Sequence, residues 1–266
     1  MASENILKIS IITPSYNQGN YIEDNIKSVL NQNYDNFEHI IFDNLSSDCT
    51  IEVLKKYKHL KWFSEKDKGQ TDAINKGLKV ATGDIICYLN ADDMLAEDCL
   101  NFVTEFFKNN NGVDIIYGNC IFIDTTGSFI KVRKSEDFNL ERLLYLGYSY
   151  IQQPSTFFRK EVINDVGFFN ENLNYVMDYE YWIRCAKAGK ILKYVDKNLA
   201  IMRIHKDAKT YTSNKKMFFE AFNVSRKFGG GKIFRYYLHF LFWYVLNSFP
   251  FLFRFLFNLR NKNKIK

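Results

Sequence analysis

Asn90-Ala91-Asp92-Asp93 places one amide and two adjacent carboxylates directly after an apolar run. That run, residues 85–89, reads as a buried strand. In an open α/β sheet, ligands bind beyond the carboxyl ends of the strands. Carboxylates at such an end suit a hard divalent cation, manganese or magnesium, and such a cation commonly also holds substrate phosphates. The same residues also read as a strand end followed by a helix cap, because Asp caps helices well. The stretch alone does not separate the two readings.

Other polar residues fall at comparable places. Pro14 to Asn17 follow the apolar run at 8–13, Asp43 ends the run at 38–43, and Glu65 to Asp67 follow the run at 60–64. A solvated loop needs polarity, but it does not need an acid at strand end after strand end. The elements between have helical periodicity. Ile22, Ile26, Val29 and Leu30 share one face of a helix over 21–31, a second helix begins near residue 51, and a third covers about 71–81. Short strands alternating with helices predict a parallel sheet with helices on its faces, α/β in class. Beyond a helix at 96–108 the alternation weakens. Strands are expected at 113–124 and 128–132 around a turn at Thr125-Thr126-Gly127, then a helix over 178–187 and strands at 191–195 and 199–204. This α+β half reads as the completion of the same domain.

Composition narrows the class. The chain has 266 residues and five cysteines, Cys49, Cys87, Cys99, Cys120 and Cys185, without CxxC pairing. An odd count without that spacing argues against zinc or disulfide frameworks and fits a reducing cytoplasm. No secretory signal is expected from residues 1–12. Neither GxGxxG nor a P-loop pattern occurs, which argues against dinucleotide oxidoreductases and NTPases. The net charge of +6 is uneven: residues 206–266 hold 13 Lys/Arg against 2 Asp/Glu, and the rest 23 against 28.

Four pieces stand in order: Thr13-Pro14-Ser15-Tyr16-Asn17; Asp43 to Thr50; Asp67 to Gly77 through Gln70 and Asp72; and Asn90 to Asp93. Together with Gln153-Pro154-Ser155-Thr156-Phe157-Phe158, residues 166–171, residues 178–184 and Arg203-Ile204-His205, they resemble family 2 of the inverting glycosyltransferases, which have the GT-A fold. The resemblance covers about residues 6–206 and rests on the order and spacing of pieces that are individually unspecific. It implies a Rossmann-like, mostly parallel sheet flanked by helices. It divides the chain into a catalytic domain over 1–205, its nucleotide-sugar half at about 1–118 and its acceptor half at about 119–205, and a tail over 206–266. It also implies a nucleotide-sugar donor (UDP-, GDP- or dTDP-linked), a divalent metal and a hydroxyl acceptor.

On that resemblance, Asp43 accepts a hydrogen bond from the nucleobase, and Pro14, Tyr16 and Asn17 shape the nucleotide pocket. Asp67, Gln70 and Asp72 lie near the diphosphate. Ser46, Ser47 and Asp48 suit the start of the next helix. Asn90, Ala91 and Asp92 complete the donor side, with Asp92 and His205 as metal ligands. Asn90 departs from the usual Asp-x-Asp. An amide oxygen ligates without charge, so metal affinity is expected to fall unless Asp93 or His205 compensates. Asp178 matches the position of the general base; its alternative is a helix N-cap. Asp93, Gln153, Trp182 and Arg184 are placed on the donor-sugar or acceptor side, although Trp182 suits the core better than a sugar platform and Arg184 suits an acid as well as a phosphate.

Residues 233–257 contain 12 aromatics and no acid. His239, Asn247 and Pro250 interrupt what is otherwise a span-length segment, and Lys232, Arg235, His239, Asn247 and Arg254 share one helical arc. This pattern fits a helix lying in a membrane interface with basic residues toward anionic headgroups, rather than a nucleic-acid contact. Packing on the catalytic domain or on a second copy in a homo-oligomer is the alternative. The sequence therefore predicts a glycosyltransferase peripheral on the cytoplasmic face of the membrane, acting on a glycan acceptor carried on a polyprenyl diphosphate. Without a multi-span region or a QxxRW-type motif, a processive synthase is not expected. A nucleotide-sugar-binding protein without transfer activity is the rival.

Overall fold

The computed structural model describes residues 6–146, 149–206 and 214–230. Among them nine strands form one sheet. The nucleotide half is β1 (Ile9–Ser15), α1 (Ile22–Leu30), β2 (Phe37–Asp43), α2 (Thr50–Leu54), β3 (Lys61–Ser64), α3 (Gln70–Val80) and β4 (Ile85–Tyr88). Its strands are parallel in the order β3-β2-β1-β4. Every residue of β1 and of β4 is buried, as expected of strands covered on both faces. α3 presses directly on β1: a Cβ on Gly77 would stand 2.3 Å from Ile12, so only glycine allows this approach.

The second half holds β5 (Met94–Leu95), α4 (Cys99–Asn109), β6 (Ile115–Ile123), β7 (Phe129–Arg133), α5 (Leu140–Leu146), β8 (Thr156–Arg159), α6 (Glu161–Val166), α7 (Met177–Lys187) and β9 (Leu192–Arg203). The sheet continues β4-β8-β6-β9-β5 with mixed polarity, and β7 pairs with β6. β8 runs antiparallel to β4, and β6 runs parallel to β9. α8 (Asn214–Lys227) follows.

The expected elements appear, with three departures. The strands expected at 191–195 and 199–204 are one strand, β9, whose register against β6 shifts around Asn119. Asp196-Lys197-Asn198 reads as a turn locally, yet the strand passes through it as a bulge, since Gly118 lets the Lys197 carbonyl approach to 2.5 Å of where a Cβ would stand. β5, α5 and α6 are too short to leave a periodic signal. In the tail, α8 buries Ala221 and Val224 in the same core cluster as Trp182 and Tyr181, and Ser225 donates to the Leu144 carbonyl at 2.7 Å. This stretch of the tail therefore packs on the catalytic half. The aromatic segment at 233–257 lies outside the described residues. Among the described residues, no helix is long and apolar enough to cross a membrane.

Candidate active site

The first loop and the loop after β2 clasp each other. Asn17, at φ 52°, accepts from the Ser47 N–H at 2.9 Å and donates its own N–H to Ser46 Oγ at 2.7 Å. A left-handed conformation is tolerated by Asn when its side chain bonds locally. Asp48 accepts the Gly19 N–H at 2.9 Å and the Thr50 N–H at 3.0 Å. Asp48 thus supports the start of α2, as expected, whereas Ser46 and Ser47 hold the first loop. Pro14 is buried beneath, and Tyr16 projects, 58% exposed.

Asp43 is surrounded by donors of the protein itself. It is 1% exposed. Its carboxylate accepts from the Ser46 N–H at 2.9 Å, from Ser64 Oγ at 3.0 Å, from Ser15 Oγ at 3.3 Å and from Ser46 Oγ. A carboxylate offers about four acceptor positions, so a nucleobase N–H reaches Asp43 only by displacing a serine hydroxyl. Its place here is to shape the loop.

Asp67 and Asp72 fold the entrance to α3. Asp67 Oδ1 accepts the Gly69 N–H at 2.8 Å, and burial raises its pKa above the usual carboxylate value. Asp72 accepts the Lys68 N–H at 3.0 Å, a carboxylate closing the first turn of a helix. Lys68, Gly69, Gln70, Thr71 and Asp72 then form one side of an open cleft, with Glu171 and Asn174 opposite.

Gln70 joins this cleft to the end of β4. Its Nε2 donates to Asn90 Oδ1 at 2.7 Å. Asn90 Nδ2 in turn donates to Gln153 Oε1 and to Asp93 Oδ2, both at 3.2 Å. Gln153 Nε2 reaches back to the Tyr88 carbonyl at 2.6 Å. Asn25, buried on α1, ties the Asn90 and Asp93 carbonyls from below at 2.9 Å each. The departure at Asn90 therefore has a structural reason. An amide gives and receives at once, and a carboxylate could make only the bond from Gln70.

Beside this network, Asp92 Oδ2 and His205 Nε2 stand 2.8 Å apart, although 113 residues separate them. The two ligands expected from sequence are thus brought together. The His205 ring packs on Tyr21 at 5.0 Å between centroids, and Arg203 lies over that same tyrosine while pairing with Asp24 at 2.7 Å. Among the described residues, no group of three or more His, Cys, Asp or Glu converges on a metal position. One carboxylate oxygen and one imidazole nitrogen fit a cation such as manganese that takes its remaining ligands from phosphate and water.

Asp178 lies at the second position of α7, not at its N-cap, which is Val176. It is half-buried, and burial pushes its carboxyl up to about 6 against the hydrogen bonds of the Asp178 and Tyr179 N–H groups. Two observations describe its surroundings. Its charge, after burial, helps raise the Tyr88 phenol. The preceding Met177 receives the Thr71 hydroxyl on its sulfur at 2.7 Å, next in sequence to Gln70.

Three residues named on the sugar side are engaged within the protein, Trp182 in the core and Arg184 with an acid, the readings that suited them in the sequence. Trp182 is fully buried in the core among Phe158, Phe169 and Tyr181 and offers no face to a sugar. Arg184 is held by Glu180, at 2.9 Å to both carboxylate oxygens, and donates to the Val166 and Phe168 carbonyls at 2.7 and 2.8 Å. It closes the loop before α7. Asp93 is 3% exposed; it accepts the Arg203 N–H at 3.3 Å, and burial followed by repulsion from Asp92 raises its pKa well above the usual carboxylate value. It braces the site from inside. Ala91 is buried and contributes backbone alone. Asn25, Tyr21 and Thr71 were given no role by the sequence reading. A buried amide on the apolar face of a helix was the available signal for Asn25.

A strand-end carboxylate paired with an imidazole in a parallel α/β half, continued by a mixed half whose helix α7 carries Asp178, is the layout of the GT-A type. Residues 10–167 match the model of Glycosyl transferase family 2, and the chain belongs to that family. An uncharacterized glycosyltransferase of Haemophilus influenzae is 33% identical over 191 residues, covering 70% of this chain and 74% of that protein. Among solved structures, S. aureus TarS 1-349 in complex with UDP-GlcNAc superposes with a TM-score of 0.64 at 20% identity, over 80% of this chain and 64% of that one. The mannosyltransferase PcManGT from Pyrobaculum calidifontis, in complex with GDP-Man and Mn2+, gives a TM-score of 0.60 at 16% identity, over 83% of this chain and 65% of that one. This chain thus spans just under two thirds of either solved chain.

Proposed function

We propose that this glycosyltransferase transfers one sugar with inversion from a nucleotide-sugar to a hydroxyl of a glycan acceptor, in a single displacement with Asp178 as general base. The observation that carries the reading is Asp178: a half-buried carboxylate pushed up to about 6, directly after Met177, which is pinned to Thr71 next to Gln70. A base works best with a pKa near the working pH and within hydrogen-bond reach of the proton it takes. The acceptor hydroxyl gives its proton to an Asp178 carboxylate oxygen as its own oxygen bonds to C1. The bond from C1 to the diphosphate oxygen breaks with its electron pair on the departing nucleotide, so the anomeric centre inverts.

Asp92 and His205 are the residues to hold a divalent metal. When bound it supplies positive charge to the leaving diphosphate. Asn90, Gln70 and Gln153 keep Asp92 in register through their amide network, and Tyr16 offers an exposed ring to ribose or base. The likeness to chains that bind UDP-GlcNAc and GDP-Man supports a nucleotide-sugar donor without choosing the base. The basic, aromatic segment after residue 231 supports an anionic membrane surface on the cytoplasmic side, and with it an acceptor carried on a polyprenyl diphosphate.

The test is a thermal-shift panel of UDP-, GDP- and dTDP-sugars with and without manganese. One nucleotide that stabilises only with metal fixes the donor class. No response to any member of the panel overturns the reading. Retention of transfer by Asp178→Asn leaves the donor site standing but removes the base mechanism, and absence of transfer by the native chain favours the binding-protein rival.

A further inference from the structure

α7 carries Asp178, and its N-cap Val176 makes no side-chain cap bond. The N–H groups at a helix start need partners. For Val176, and for Asn174 and Tyr175 just before the helix, the partner comes from α8, more than forty residues downstream. Glu220 Oε1 accepts the Asn174 N–H at 2.9 Å, and Oε2 accepts the Tyr175 N–H at 2.6 Å and the Val176 N–H at 3.0 Å. Three consecutive amides thus converge on one carboxylate. Hydrogen bonds to an ionised acceptor are about twice as strong as neutral ones, and a negative charge at a helix N-terminus is favourable in itself.

The same three residues face two ways. Asn174 forms one wall of the cleft opposite Lys68 and Asp72. Val176 leads directly into Met177, which is pinned to Thr71, and then into Asp178. Glu220 is carried to this point by a docked helix, with Ala221 and Val224 buried in the core and Ser225 bonded to Leu144. It touches none of the donor-side groups, Asn90, Asp92, Gln70 or Gln153, in any hydrogen bond described.

We propose that Glu220 is a positioning residue for sugar transfer: its carboxylate fixes residues 174–176 so that the cleft wall and the Asp178 carboxylate hold one place relative to the acceptor hydroxyl. The inference rests on Asp178 as the base. A role confined to stability lowers the melting temperature and leaves turnover per folded molecule unchanged. A positioning role lowers kcat while leaving donor affinity alone, because a carboxylate displaced by about 1 Å loses much of its effect.

The experiment uses the full chain with Glu220→Ala, Glu220→Gln and Asp178→Asn. The probe is whichever UDP-, GDP- or dTDP-sugar stabilises the native chain in the panel above, with water as acceptor. Nucleoside diphosphate release and donor Kd in manganese are both measured, per folded molecule. Expected are a drop in kcat of about tenfold or more for Glu220→Ala with donor Kd within about twofold, and an intermediate kcat for Glu220→Gln, which keeps one acceptor oxygen. If the alanine variant does not fold, a loss of at least about threefold in Glu220→Gln at unchanged Kd carries the test. Native kcat in either folded variant overturns the proposal, as does an equal loss of donor affinity. Native turnover in Asp178→Asn, or no turnover in the native chain, overturns the underlying reading instead, so the two failures are told apart.

Discussion

Asp43 and Asp178 are both carboxylates at the ends of secondary elements, and the protein treats them in opposite ways. Asp43 is 1% exposed and filled by serine hydroxyls and a backbone N–H. Asp178 receives only the N–H groups of its own helix turn and is pushed up to about 6 by burial. For Asp178, burial opposes ionisation. A carboxylate saturated by the protein holds a loop. One left short of partners retains the capacity to take a proton.

The sharpest way to break this contrast is Asp178→Asn. Transfer should fall on the order of 10²–10⁴-fold, the usual contribution of a positioned base. The same variant should be more stable than the native chain at pH 7, by up to about 3 kcal/mol, because it removes a charge the fold disfavours. The sign follows from linkage. With its pKa raised from 3.8 to about 6, folded Asp178 binds more protons than unfolded Asp178 between those values, so its contribution to stability falls as pH rises through that window. Activity moves the other way: kcat/KM should fall as pH drops through about 6, as the base takes up its proton. Calorimetry and a pH–rate profile check both directions.

Asp43→Ala should show the converse. Four donors lose their acceptor, and stability should drop by about 3 kcal/mol in denaturant melts. A stability equal to that of the native chain would remove the distinction drawn here. Next in size is the metal pair. Asp92→Asn, and separately His205→Ala, should each cancel what manganese adds to donor binding, about tenfold in apparent affinity or ~1.4 kcal/mol, read as the metal-dependent part of the thermal shift. Smallest is Tyr16→Ala. An exposed side chain of this kind should change stability by less than about 0.5 kcal/mol, with donor affinity weakened several-fold by titration calorimetry.

The first four strands and three helices were legible because burial on both faces writes unbroken apolar runs, and packing on one face writes a period of 3.6. The acceptor half was less so. β5 has two residues, α6 has six, and β9 crosses a segment that reads locally as a turn. Elements this short are held by their neighbours rather than by their own pattern. At the site, residue types were readable but directions were not. Trp182 suited the core in the sequence, and it is turned wholly into it. Nothing marks Arg184 as the partner of Glu180 except spacing along the helix.

The sequence by itself determined the class of sheet, the acids at its strand ends and the family, since these rest on order along the chain. The tertiary structure decided which of those acids remain available. Asp43 is closed by Ser15, Ser46 and Ser64, Asp93 turns inward beneath Arg203, and Asp92 meets His205 from the far end of β9. It also decided that the helix bearing Asp178 is capped from α8 by Glu220. Availability depends on which donors come within 3 Å, and among groups up to 113 residues apart only folding sets that.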